Sequence, residues 1–290
     1  MLHSATTQLA GHPVLRVGVG GARWSIATPL DETEVTGILQ TALELGISYI
    51  DTARAYTTRD EDAHNESIIA RALRALGRAD DVLVATKGGH YRDGDTWRND
   101  GRPESLRADC AASRRALGVD SLDLYYLHFP DTEVPIEEGI GALAELRDSG
   151  EIRAIGVSNV TVDQFERARS VTRIDAVQNP FSPYRGDRAV LDASVEAGIP
   201  FVAYSPLGGT RRSVPLDSAS PTANEIARTQ GATIETVMLA WVLSNAPGLI
   251  TITGASRPTS LASSVQAAQL ELSAESVAGI RADLARTVGS

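Results

Sequence analysis

The chain has 290 residues, 42% of them hydrophobic and 22% charged, which excludes disordered and fibrous classes and leaves room for one large domain or two small ones. A net charge of −10, a pI near 5.0 and the lack of a concentrated Lys/Arg stripe argue against a nucleic-acid partner. The N-terminal MLHSATTQLAGHP has no charged start followed by an apolar run, no window approaches the ~20 apolar residues of a membrane span, and the one cysteine, Cys110, fits a reducing compartment, so the expected location is cytoplasmic with no membrane partner.

Thr7 to Arg16 contains a Gly11-His12-Pro13 turn signal and reads as a short hairpin. The rest alternates between two periodicities. Leu15 to Val19 is a β-branched apolar run, Glu32 to Leu45 a helical pattern, Ile47 to Asp51 a run and Ser67 to Leu76 a helix. Val82 to Lys87, Leu122 to His128, Ile152 to Val157, Ala176 to Asn179, Phe201 to Ser205 and Leu249 to Thr253 continue the strands. Between and after them lie helical patterns at Glu104 to Leu117, Glu137 to Arg147, Val162 to Arg169, Ala189 to Ala197, Ile234 to Leu243 and Leu261 to Ala268, with extra helices at Pro221 to Gln230 and around Val277 to Leu284.

Gly46, Gly77, Gly118, Gly150 and Gly198 each follow a helical pattern and lead into a strand, as glycines at left-handed helix termini do. Eight strand–helix units in series imply parallel strands, and the pattern predicts a single (β/α)8 TIM barrel over residues 1–290 with extra helices and an N-terminal β-hairpin that plugs the barrel floor. The runner-up is an open doubly wound sheet. It is disfavoured because Gly18-Val19-Gly20-Gly21-Ala22 does not complete G-x-G-x-x-G.

In such a barrel the loops after the strands form the active face, so polar residues at strand ends are the candidates for chemistry. Asp51, Lys87 and His128 end three successive strands, and Tyr56 lies on the loop above Asp51. Asn159 follows the fifth strand, Gln178 lies in the sixth, and Tyr204-Ser205 close the seventh. A lysine at the barrel mouth needs a partner, and Asp51 can hold it charged. A phenol beside that fixed cation is expected to titrate below its usual value near 10, toward the range of a general acid. His128 can orient a carbonyl oxygen in the manner of an oxyanion site. Each residue alone also has a structural reading: an ion pair, a satisfied core histidine, a surface tyrosine.

Asp51-Thr52-Ala53-Arg54-Ala55-Tyr56, Ala85-Thr86-Lys87, Asp123 to His128 and Gly156-Val157-Ser158-Asn159 resemble, in order and spacing, the motifs of the aldo-keto reductase family. So do Gln178-Asn179, Tyr204 to Gly208 and Gly254-Ala255-Ser256-Arg257-Pro258. The resemblance covers nearly the whole chain. It implies an NAD(P)H-dependent oxidoreductase that passes a hydride between a nicotinamide and a carbonyl or alcohol without a metal. Tyr56 would be the general acid in reduction and the base in oxidation, Lys87 and Asp51 its tuning pair, and His128 the carbonyl-orienting group. Ser158, Asn159 and Gln178 would bond the carboxamide, with Tyr204 stacked under the ring. The run Ser205, Pro206, Leu207, Gly208 and Gly209 would cross the pyrophosphate. Gly254, Ala255, Ser256 and Arg257 would receive the adenosine end, and Gly21 would also touch cofactor.

The chain departs from the family pattern in two places. Tyr56 is followed by Thr57 and a polar segment, Thr58 to Asn65, that is expected to reshape the substrate mouth. Near the adenosine, Ser260, Ser263 and Ser264 replace the usual basic, acidic and amide residues, leaving Arg257 as the partner for a 2′-phosphate. The cofactor expected is NADP(H), with NAD possible. Trp24, Tyr91, Trp97 and Phe129 fall on loops after strands and suit an aromatic pocket for aldehydes, ketones or sugars, which the absence of a long tail beyond Ser290 is expected to leave open. The chain would act as a monomer or homo-oligomer. Alternatives are an NAD-dependent sugar or alcohol dehydrogenase of the same family, a non-catalytic nicotinamide-binding sensor or auxiliary subunit, and a lyase using Lys87 as Schiff base, for which a paired, charged lysine is a poor nucleophile.

Overall fold

The computed structural model describes residues 5–26, 29–58, 61–94, 96–209, 213–254 and 258–288. A hairpin of β1 (Thr6–Leu9) and β2 (His12–Leu15) precedes β3 (Val17–Gly20), β4 (Tyr49–Asp51) and β5 (Leu83–Gly88). A second hairpin, β6 (His90–Asp93) and β7 (Thr96–Asn99), is followed by β8 (Leu124–Leu127), β9 (Ile155–Ser158), β10 (Ala176–Ser182), the short β11 (Arg185–Gly186), β12 (Phe201–Tyr204) and β13 (Ile250–Thr253). Parallel pairing runs β3, β4, β5, β8, β9, β10, β12, β13 and returns to β3. The eight predicted barrel strands thus close on themselves, which leaves the barrel itself without an edge strand.

The helices are α1 (Arg23–Ile26), α2 (Glu32–Glu44), α3 (His64–Leu76), α4 (Pro103–Leu117), α5 (Ile136–Asp148), α6 (Val162–Val171), α7 (Arg188–Glu196), α8 (Leu216–Ala219), α9 (Pro221–Gln230), α10 (Ile234–Leu243), α11 (Pro258–Gln269) and α12 (Ala274–Thr287). Capping boxes at Asp31 and Thr161 start α2 and α6, satisfying backbone N–H groups that a helix cannot pair internally. The helix-ending glycines all take positive φ, as their spacing predicts. Apolar faces of the helices pack on the outward side chains of the strands, Leu106, Ile140, Phe165 and Tyr125 in one cluster and Val35, Leu39, Ile50 and Ile69 in another. No described helix is long and apolar enough to cross a membrane.

The barrel interior is built by the two-residue period of the strands. Tyr49, Leu83, Ala85, Leu124, Tyr126, Ala154, Ala176, Val202, Ile250 and Ile252 form one buried cluster, joined from below by Leu9 and Val14 of the first hairpin. That hairpin plugs the floor as expected, although its turn is Ala10-Gly11, both at positive φ. His12 and Pro13 pair within β2, opposite Leu9 and Gln8, because a proline without N–H is tolerated on an edge strand. Higher in the lumen the Tyr126 ring occupies the space beside its register partner Gly156, where a Cβ would collide with it. Continuing the same parity by two residues places Asp51 above Tyr49, Lys87 above Ala85, His128 above Tyr126, Gln178 above Ala176 and Tyr204 above Val202. The top layer of the lumen is where the interior changes from apolar to chemical.

Candidate active site

Lys87 is fully buried and donates from Nζ to Asp51 Oδ1 at 2.6 Å and to the Thr52 carbonyl at 2.8 Å. The other carboxylate oxygen of Asp51 accepts from Gln178 Nε2 at 2.7 Å and from the Tyr49 hydroxyl at 3.2 Å. Every charge in this pair therefore has hydrogen-bonded company, the condition under which an ion pair is tolerated in a core. Lys87 Nζ lies 5.3 Å from the centroid of the Tyr56 ring, and the His128 ring meets Tyr56 edge-on, centroids 5.7 Å apart. The four residues singled out in the sequence come together.

Tyr56 is held by a loop rather than a strand, and a residue the sequence reading missed organises that loop. Asn65 is buried at the start of α3, accepts from Thr52 Oγ1 at 2.7 Å, and donates to the Gly21 carbonyl and to Ser25 Oγ, each at 2.8 Å. Its backbone N–H reaches the Tyr56 carbonyl at 3.3 Å. One amide thus ties the segments after β3 and β4 to α3. The polar segment between Tyr56 and α3 ends in this staple, and residues 59–60 within it lie outside the described residues. Behind Lys87, Thr86 Oγ1 donates to the buried Glu66 at 2.6 Å.

The electrostatics differ from the expectation in one respect. Burial, followed by the charges of Asp51 and Tyr204, holds the Tyr56 phenol well above 10, whereas Lys87 was expected to draw it down. The ammonium is already committed to Asp51 and Thr52, and burial lowers its own pKa. Burial, Lys87 and His90 together push His128 well below 6.5, so this ring is neutral. A neutral phenol and a neutral imidazole facing one cavity are both hydrogen-bond donors.

That cavity, about 980 Å³, opens above the lumen. Asp51, Tyr56 and His128 line it with Ser158, Asn159, Gln178, Tyr204, Ser205, Pro206, Leu207 and Gly254, and so do Trp97 and Phe129. Lys87 lies beneath the lining. Several expected residues stand elsewhere. Trp24 is 1% exposed and packs in the core with Val35, Leu39 and Ile68. Tyr91 is 42% exposed and does not line the cavity; it alternates with His90 on the β6–β7 ribbon, so it faces the other way. Gly21 gives its N–H to the Asp51 carbonyl, and Asn65 occupies the space a side chain there would need; Gly20, Ala22 and Arg23 line the cavity instead. Gly208 belongs to a smaller neighbouring depression with Tyr184 and Arg185. Ala255, Ser256 and Arg257 lie outside the described residues.

Hydrogen bonds within the cavity wall define what a ligand meets. Asn159 Nδ2 donates to the His128 carbonyl and to Ser158 Oγ, each at 3.0 Å, and its Oδ1 accepts from the Tyr204 hydroxyl at 2.6 Å. Asn159 and Ser205 both hold positive φ, strained conformations that cluster at functional sites. With both amide N–H pairs engaged, the remaining capacity is the Ser158 O–H as donor and the Asn159 and Gln178 side-chain carbonyls as acceptors. One donor and two acceptors are the complement of a primary carboxamide. At the other end the wall consists of Thr233, Glu235, Thr236, Ser260, Ser263 and Ser264. His90 also lines the cavity and was not anticipated; the Asp93-Gly94 dipeptide is the turn signal that could have revealed its hairpin.

Residues 16–284 match the family model described as Aldo/keto reductase family. Pyridoxine 4-dehydrogenase of Escherichia coli (strain K12) is 33% identical over 287 residues, covering 94% of this chain and 96% of that protein. Aldo-keto reductase str7 of Strobilurus tenacellus is 32% identical over 275 residues, covering 84% and 79%. Among solved structures, the glycerol dehydrogenase AKR11B4 from Gluconobacter oxydans superposes with a TM-score of 0.83 at 26% identity, covering 99% of this chain and 97% of that one. The thermostable aldo-keto reductase Tm1743, solved with the inhibitor epalrestat, gives 0.80 at 30% identity, covering 97% and 100%.

Proposed function

This chain belongs to the aldo/keto reductase family and is a nicotinamide-dependent oxidoreductase, and on that premise we propose that it transfers a hydride between NADP(H) and an aldehyde, ketone or sugar, with Tyr56 as the proton donor in reduction. The observation that carries this reading is the meeting of Tyr56 and His128, both neutral donors, at the cavity floor above the buried Lys87–Asp51 pair. The nicotinamide, when bound, supplies the hydride. Ser158, Asn159 and Gln178 would hold its carboxamide through the donor and acceptors they leave free, and the Tyr204 ring, fixed by its bond to Asn159, would support one face. His128 would donate to the substrate oxygen and Tyr56 would deliver the proton as charge develops there. Lys87 and Asp51 keep a compensated charge pair beneath the phenol, so that the proton stays on Tyr56 until charge develops on the substrate oxygen.

The NADP reading rests on Arg257. Glu235 supports NAD as a second reading, because a carboxylate at the far end of the cavity accepts from a ribose hydroxyl and repels a 2′-phosphate. Titration of NADPH and NADH by fluorescence, then turnover with NADPH deuterated at C4 against a panel of aldehydes, ketones and sugars, tests the assignment. Deuterium at the carbinol carbon of the product is expected. Binding without transfer to any carbonyl would contradict it.

A further inference from the structure

Resting on the reading that His128 addresses the substrate carbonyl, we propose that His90 is a specificity-determining residue: its Nε2 accepts a hydrogen bond from a hydroxyl on the carbon next to that carbonyl. The hydride chemistry makes no use of His90, yet it is half-buried in the cavity wall. Its ring lies 4.9 Å from that of His128, nearly perpendicular to it, and 4.7 Å from Phe129. Trp97 stacks on its face at 5.1 Å and 9°. The hairpin that carries it fixes its orientation as well as its place.

The tautomer is set by its neighbours. His90 Nδ1 lies 2.7 Å from Asn99 Oδ1, and Asn99 turns its oxygen that way because its Nδ2 donates to the Pro130 carbonyl at 3.3 Å. An amide oxygen only accepts, so Nδ1 carries the hydrogen. Burial lowers the His90 pKa, against the Asn99 and Arg98 hydrogen bonds that favour the charged form, and the ring is neutral. Its Nε2 is then the acceptor nitrogen, with no side-chain hydrogen bond among the described residues. Two neutral imidazoles with centroids 4.9 Å apart present complementary groups, a donor from His128 and an acceptor from His90. Two oxygens on adjacent carbons, one a carbonyl and one a hydroxyl, stand about a hydrogen-bond length apart and match that pair. A simple alkyl aldehyde leaves Nε2 unpaired, and leaving a site's polar group unpaired is how enzymes reject an analogue that lacks a hydroxyl.

The test compares kcat/KM for glycolaldehyde and for propanal, which differ by a hydroxyl in place of a methyl, in the wild type, His90→Phe and His90→Gln. The wild type is expected to prefer glycolaldehyde about tenfold, the factor that one net hydrogen bond carries. His90→Phe keeps the stack on Trp97 and should bring the ratio close to one, while His90→Gln, which retains an acceptor, should keep part of it. Because the ratio is taken within each protein, any common loss from a displaced His128 cancels. A wild-type ratio near one, or a ratio unchanged in His90→Phe, would overturn the role of His90 alone. Failure of the wild type to reduce either aldehyde would instead overturn the hydride-transfer reading on which the proposal rests, and the proposal with it.

Discussion

At the residue scale the site depends on compensated burial. Asp51 and Lys87 are 1% and 0% exposed, and their hydrogen bonds to each other, Thr52, Gln178 and Tyr49 leave neither charge alone. Replacing Asp51 by Asn keeps the shape but strands the ammonium, and loss of one member of a buried pair costs about 3–5 kcal/mol. Urea denaturation of Asp51→Asn is expected to show that loss; a change below about 1 kcal/mol would mean that the pair contributes little to holding the site. These residues were legible in the sequence because each is a polar group ending an apolar run. Trp24 and Tyr91 were not separable from pocket aromatics on the same grounds. Whether an aromatic next to a strand turns into the core, as Trp24 does, or outward on a ribbon, as Tyr91 does, is decided by packing partners distant in sequence. The titration of Tyr56 was misjudged for a related reason: the sequence places a cation nearby but does not say how much of its charge a closer carboxylate has already answered.

At the element scale the two hairpins do different work at opposite ends of the barrel. Leu9 and Val14 of the first hairpin complete the apolar floor, where barrels keep stability rather than chemistry. Leu9→Ala should therefore destabilise by about 2–5 kcal/mol, the usual range for emptying a packed leucine site, while turnover at a permissive temperature stays at the wild-type level; chemical denaturation alongside steady-state assays checks both halves. A loss of turnover without a loss of stability would contradict this division. The first hairpin was readable from its glycine and proline, with an error in the turn because Pro13 is accommodated on an edge strand. The second was harder to read, since His90 to Asn99 carries no alternating apolar signal and its one cue is the Asp93-Gly94 turn dipeptide. Its consequence is that His90 and Trp97 enter the cavity wall together. Asn65 was equally hidden, because a polar residue starting a helix reads as a cap until its contacts with Gly21, Ser25 and Thr52 are seen.

At the scale of the whole molecule, closure converts a linear order of motifs into one site. Arg16, buried before β3, donates to the carbonyls of Leu243, Ala246 and Leu249, tying the start of the first barrel strand to the approach to the last. The barrel was readable because parallel strands covered by helices are short continuous apolar runs separated by helical periods. The parity that lifts Asp51, Lys87, His128, Gln178 and Tyr204 into one layer was present in the sequence too, two residues beyond each interior apolar residue. It becomes a site only when the register of neighbouring strands aligns those ends. We propose that this barrel is a single domain whose chemistry converges on one phenol. The most direct test is the kcat of Tyr56→Phe for aldehyde reduction beside its dissociation constant for NADPH. Removing a positioned general acid should lower kcat by about 10²- to 10⁴-fold and leave the dissociation constant within about twofold of the wild type, since an interaction made only in the transition state adds nothing to ground-state binding. Retention of most of the activity, or a fall explained by lost cofactor binding, would contradict the account.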